Sequence, residues 1–253
     1  MLPRVIPSWG LPGSGTRRVR LIALLAVRNG MRYLPGFLRN VAPQVDGIIA
    51  LDDGSTDDSP RLLASHPAVI ELLRQPADRP IWDEVGNHRL LVAAALRHRA
   101  EWIICVDADE RLEQDFRARS ERVIARGNWL GCSAYALHLR ELWDDRGQYR
   151  ADGIWGRKSV ARLFRARPDH QFDSAPVHAS KAPQQGRRMG RFPAADVIIY
   201  HLGMLYPADR LARRQRYELA DPDRRWQRIG YEYLTDLGHL ELRSLSPRRW
   251  FVD

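Results

Sequence analysis

The feature that most restricts this chain is a regular alternation over residues 19–127. Short, wholly apolar runs alternate with amphipathic stretches, and two of the runs end in acidic clusters. Leu21–Val27 is continuous apolar sequence, and Gly47–Leu51, Val69–Leu73 and Ile103–Val106 repeat the pattern. Between them Tyr33–Val41 and Asp83–Arg97 carry helical periodicity, the second with an apolar stripe of Leu90, Leu91, Ala94 and Ala95. Ser59-Pro60 is a cap-and-first-turn pair for another helix, and Glu113–Arg126 reads as a further one. Strands and helices in this rhythm predict an α/β fold, a mostly parallel, doubly wound sheet with helices on both faces. Ligands then bind beyond the carboxyl ends of the strands. Asp52-Asp53 and Asp107-Ala108-Asp109-Glu110 both fall at such ends, so both are expected to open onto one crevice.

The second half has a different texture. Ala134–Arg140 alternates like an open-sided strand, with Tyr135, Leu137 and Leu139 on one face. Asp145-Arg146-Gly147 signals a turn, and Ser159–Phe164 and Val197–His201 read as strands. Residues 166–196 form a long Pro-, Gly-, Arg- and Gln-rich connection of the kind that carries function. Residues 207–219 form an amphipathic helix with Ala208, Leu211, Ala212, Gln215 and Leu219 on one side. The expected organisation is a flexible tail over 1–18, one domain over 19–205 and a helical extension over 206–253. Within the domain, 19–127 and 128–205 form two halves.

Composition narrows the function classes. The chain has 253 residues, 44% of them hydrophobic, and a net charge of +9. The basic residues are nearly all arginine, are dispersed, and are mixed with acids, which argues against a nucleic-acid partner. The glycines at 10, 13 and 15 precede the first strand, so they do not make a phosphate loop. Cys105 and Cys132 have neither zinc nor disulfide spacing. Pro3, Pro7 and Pro12 interrupt the region where a leader's apolar stretch would lie, so a cytoplasmic location is expected. Arg210, Arg213, Arg214 and Arg216 crowd one helix; they read as a solvated face, with contact at the inner face of an anionic membrane as the alternative.

Asp107 and Asp109 stand two apart just past a buried strand, an arrangement suited to Mg²⁺ or Mn²⁺ held beside substrate phosphates. Asn87 and Arg89, on the helix after the third strand, lie within reach of such phosphates. Trp82, Trp143 and Trp155 read as core. Candidates for a general base are Asp173, His178, Glu141, Asp144 and Asp145. Asp173 is favoured because it lies on the long connection.

Taken together, Val27-Arg28-Asn29, Leu51-Asp52-Asp53-Gly54-Ser55-Thr56-Asp57 and Val106-Asp107-Ala108-Asp109-Glu110 resemble the family 2 glycosyltransferases of GT-A fold. The resemblance covers residues 19–127 well and 128–205 loosely. It implies transfer of a sugar, with inversion, from a nucleoside-diphosphate sugar to the hydroxyl of a glycan, lipid-linked or small-molecule acceptor. It also implies that Asn29 and Asp52 or Asp53 contact the nucleoside. Asp109 would ligate the metal, Asp107 would sit on the metal or the ribose, and His201 would complete the metal site. The chain departs from the family at Gly30, where many relatives have Glu. It departs again at His178-Ala179, where many have His-Glu. A non-catalytic nucleotide-sugar-binding protein of the same fold is the alternative. An aspartate-nucleophile phosphatase is opposed by Arg111, and a sugar nucleotidyltransferase by the lack of a glycine-rich loop after the first strand.

Overall fold

The structure, a computed structural model, describes residues 20–78, 83–173 and 180–253. The expected tail over 1–18, together with Trp82 and His178, lies outside the described residues. The first half runs β1 (Leu21–Val27), α1 (Leu34–Val41), β2 (Ile48–Asp52), α2 (Ser59–Ser65), β3 (Val69–Arg74), α3 (Glu84–Arg97) and β4 (Trp102–Cys105). Then come β5 (Glu110–Leu112), α4 (Phe116–Leu130), β6 (Ala134–Trp143), β7 (Asp145–Arg150), β8 (Ser159–Arg165), β9 (Ala194–His201), α5 (Pro207–Ala220) and β10 (Leu242–Ser244).

Strands β3, β2, β1 and β4 pair in that order, all parallel. β8 joins β4 antiparallel, β6 joins β8, and β7 and β10 follow at the far side. β9 pairs parallel with β6 and antiparallel with β5. Alternate residues of the parallel strands face opposite ways. Leu21, Ala23, Leu25 and Ile104 pack with Phe37 of α1, Leu63 of α2 and Phe116 of α4. Ile22, Leu24, Ile49 and Ile103 pack with Leu91, Ala94 and Ala95 of α3. Helices thus cover both faces, and the α/β, GT-A-like architecture is the one expected. Each such side chain gains roughly 1.5–3 kcal/mol on burial. No helix among the described residues is long and apolar enough to cross a membrane.

Several local expectations are corrected. Leu90 lies outside the α3 stripe and is exposed. Ser59 does not cap α2; its hydroxyl accepts from the Gly30 amide instead. The residue expected to begin a helix at Glu113 follows the short strand β5, and α4 starts at Phe116. The turn expected at Asp145–Gly147 occurs at Asp144, with φ 60°, and β7 begins immediately after it. Trp143 and Trp155 are core, as expected. Beyond α5 the extension is not helical throughout; it contributes β10 and packs back onto the domain.

The clearest reversal is α5. Its expected apolar side is exposed, with Leu219 83% accessible, whereas Arg210 is buried. Arg210 donates to the carbonyls of Met204 (2.9 Å) and Leu205 (3.3 Å) and to Asp144 (2.8 Å), and lies over the Trp143 ring. Arg210 and Arg213 turn inward because buried carbonyls, a carboxylate and an imidazole there offer their side chains hydrogen-bond partners, whereas Arg216 stays exposed.

The three-residue strand β5 is anchored by one side chain. Asn40 of α1 donates to the carbonyls of Leu112 (2.9 Å) and Val252 (3.0 Å) and accepts from the Leu112 amide (2.7 Å). Replacing Asn40 with Ala strands both buried groups of Leu112. The expected loss, about 2–4 kcal/mol, is read as a shift in the urea unfolding midpoint.

Candidate active site

Parallel register puts the carboxyl ends of β1, β2 and β4 on one edge, since Val27 pairs with Asp52 and Leu24 with Cys105. The loops leaving β1 and β2 are knitted together there. Asn29, at φ 53°, accepts from the Thr56 amide at 2.8 Å, while its own amide donates to the Ser55 hydroxyl at 2.8 Å. Asp57 accepts from the amides of Met31 (3.1 Å) and Ser59 (2.9 Å). Burial pushes the Asp57 carboxyl up, but the hydrogen bonds from Ser59 and from these backbone amides outweigh it and hold it below its ordinary value. Asp52 and Asp53 are 1% and 0% exposed. Asp52 accepts from the Ser55 amide at 3.2 Å, and the Asp53 amide donates to Val27. The Asp52 carboxylate therefore shapes the loop from within. Asn87 is buried, and Arg89 is exposed on α3.

A second group forms where β5, β9 and β6 run side by side. Register sets His201 opposite both Glu110 of β5 and Glu141 of β6. His201 is 3% exposed; its Nδ1 faces Glu141 and its Nε2 lies 3.1 Å from Asp109. Burial opposes its charge, yet Glu141 and Asp109 together push its pKa up to about 10. Lys158 also pairs with Glu141. Burial raises Glu141, but His201 and Lys158 hold it well below the usual carboxylate range. From α5, Arg213 places Nη1 2.9 Å from His201 Nε2 and Nη2 3.2 Å from the Tyr217 hydroxyl. Gly203 must be glycine here: a Cβ would meet Asp109 Oδ2 and stand 2.9 Å from the His201 ring.

Asp107 belongs to a separate cluster. Its Oδ2 accepts from Arg162 at 2.8 Å and its Oδ1 from Lys181 at 2.5 Å. Arg162 comes from β8, whose antiparallel register with β4 sets Leu163 opposite Ile104 and so carries Arg162 to the carboxyl end of β4. The same Arg162 nitrogen bonds Glu110, which also accepts from the Asp107 amide. Burial pushes Asp107 up, but Arg162 and Lys181 drive it far down, whereas burial leaves Glu110 raised.

Both clusters open on one cavity of about 540 Å³. Its wall includes Glu84, Asp107, Glu110, Glu141, Lys158, Arg162, Asp173, Lys181, His201 and Arg213. Asp173 and His201 are thus brought together with Asp107, while Asn29, Asp52, Asp53, Asn87 and Arg89 do not line this cavity.

The expectation of one ion shared by Asp107, Asp109 and His201 does not match the side chains. Both oxygens of Asp107 are taken by cations, and His201 Nε2 either donates to Asp109 or accepts from Arg213. In neither state does Nε2 offer the free lone pair that a metal requires. Among the described residues, no group of three or more His, Cys, Asp or Glu side chains is arranged to hold an ion. Sequence reasoning missed Glu141 as the partner of His201, assigned Arg213 to a solvated or membrane-facing helix surface, and gave Arg162 and Lys181 no place in the site. The only available signal was that the chain's two lysines both end here.

No protein-family model matches the chain. It is 30% identical over 217 residues to an uncharacterised protein of Mycobacterium tuberculosis, covering 82% of this chain and 52% of that protein. It is 27% identical over 208 residues to a TPR repeat-containing protein of Synechococcus elongatus, covering 79% of this chain and 46% of that one. The chain thus spans about half the length of the curated relatives it matches. Among solved structures, S. aureus TarS 1–349 in complex with UDP-GlcNAc superposes with a TM-score of 0.50 at 11% identity, covering 86% of this chain and 70% of that one. That likeness concerns the fold.

Two outcomes follow from the charge arrangement. Glu141→Gln leaves Lys158 without its buried counter-charge and His201 with Asp109 alone. An unfolding titration should show a loss of about 3–5 kcal/mol. For Asp57, the folded value lies below the unfolded one. Its contribution is therefore complete above about pH 4 and fades as pH falls through the folded value. Asp57→Asn should remove that part of the acid dependence of the melting temperature.

Proposed function

We propose that the chain is a glycosyltransferase that moves a sugar from a nucleoside-diphosphate sugar to an acceptor hydroxyl, with inversion. The observation that carries this reading is the cavity itself. It lies beyond the carboxyl ends of the parallel strands, and its wall combines Asp107, the β9 histidine, several cations and Asp173. A GT-A-like fold with this resemblance in its loops supports the same reading. The interlocked loops around Asn29 and Asp52 form the nucleoside side, and the cavity receives the diphosphate and the sugar.

In this mechanism Asp173 takes the proton of the acceptor hydroxyl. The hydroxyl oxygen then bonds to the anomeric carbon. The bond from that carbon to the diphosphate breaks, and its electron pair leaves with the diphosphate. The charge that grows on the leaving oxygen meets the cations of the wall. The acceptor is a glycan, a lipid-linked saccharide or a small molecule, and in the lipid-linked case the enzyme works at the inner face of a membrane.

The test is a thermal-shift screen of nucleotide sugars, followed by turnover with the one that binds. Stabilisation by a nucleotide sugar, but not by the free sugar, is the expected result; no shift from any donor would end the proposal. Asp173→Asn should lower kcat by roughly 10²-fold or more while leaving donor affinity within about threefold. An unchanged kcat would move the base to another carboxylate.

A further inference from the structure

We infer that this chain neutralises the donor diphosphate with its own side chains, Lys181, Arg162 and Arg213, in the place where a divalent ion was expected. The inference rests on the transferase reading above and concerns how the same site handles charge.

Three observations carry it. First, the candidate ligands are already committed. Asp107 holds Lys181 on one oxygen and Arg162 on the other. Asp109 and His201 face each other, with Arg213 on the histidine nitrogen and the Gly203 backbone closing in from another side. An ion entering here would have to expel a guanidinium that is itself tied to Tyr217. Second, these cations belong to the cavity wall. Among the described residues, the wall carries Lys158, Arg162, Lys181, Arg187 and Arg213 against Glu84, Asp107, Glu110, Glu141 and Asp173, before His201 is counted. The acids alone would repel a diphosphate, but paired in this way they hold the cations in position without doing so. Third, the cations keep donors in reserve. Arg162 is 8% exposed, its Nη2 serves both Asp107 and Glu110, and its Nη1 is buried with no hydrogen-bond partner among the described residues. A buried donor left unmade is costly, and an anionic oxygen is the partner that relieves it. Lys181 gives Asp107 one of its three ammonium hydrogens, with Glu84 no nearer than 3.9 Å.

Fixed cations of this kind act on the leaving group as a Lewis acid would. When the bond from the anomeric carbon to the diphosphate oxygen breaks, the electron pair stays on that oxygen. Ammonium and guanidinium groups already in position stabilise it without reorganising. The proton from the acceptor goes to Asp173, so the step balances with no further reagent.

The experiment is calorimetric titration of the full chain with UDP, GDP, ADP, CDP and dTDP, in EDTA and in Mn²⁺. The nucleotide that binds is expected to do so with Kd values within about threefold in the two buffers. Lys181→Gln and Arg213→Gln should each weaken it by about tenfold or more in both. Arg213→Lys, which keeps the charge, should recover part of the loss and guards against a merely structural effect. Asp109→Asn should leave EDTA binding within about threefold. Binding seen only with Mn²⁺, or abolished by Asp109→Asn, would overturn the inference and leave the transferase reading standing. No binding of any nucleotide in either buffer would overturn both.

Discussion

A charge taken out of water must be met by another charge, and that requirement organises this molecule around the row Glu110–His201–Glu141. Three ionisable side chains share one level of adjacent strands, each nearly inaccessible to solvent. Alone, each would cost several kcal/mol. The chain meets the demand with Arg162 from β8 on Glu110 and with Lys158, just before that strand, on Glu141. His201 lies between Glu141 and Asp109, and Lys181 from the long connection takes the neighbouring Asp107. The second half is therefore not an independent layer added to the first. Its strands are positioned so that their cations reach acids at the carboxyl ends of the first half.

The first half of the fold was legible because its signals are local. An uninterrupted apolar run such as Leu21–Val27 has few alternatives, and parallel pairing brings successive loops to one edge. That was enough to gather Asp107, Asp109 and His201 into one region. Their partners were hidden, because pairing depends on register between strands far apart in sequence. Glu141 lies 60 residues from His201. No spacing marks such a pair, and in a chain so rich in arginine, Arg162 and Arg213 do not stand out. β5 was missed because three residues are too few to show a period. Asp52 and Asp53, expected at the nucleoside, lie buried at the start of a loop whose turn places the Asp52 carboxylate on the Ser55 amide.

The helix α5 shows the limit of amphipathic reading most plainly. Hydrophobic periodicity assigns Leu211 and Leu219 to the inside and the arginines to water. The prediction inverts because the surface α5 packs against is aromatic and polar rather than aliphatic. It presents the carbonyls of Met204 and Leu205, the carboxylate of Asp144 and the imidazole of His201. For such a surface the complementary face is guanidinium over aromatic ring, as at Arg210 on Trp143.

Arg210 and Arg213 stand about one turn apart on that helix, the first bolting it to the chain and the second reaching the cavity. Helix docking and the cavity wall therefore draw on the same helix. A molecule that bonds Arg213 adds its binding free energy to the closed position of α5, and loses it whenever the helix lifts. Amides along α5 and in the segment beyond it thus become reporters of occupancy. Their exchange with solvent deuterium slows in proportion to how far the site is filled, even where those amides touch no ligand.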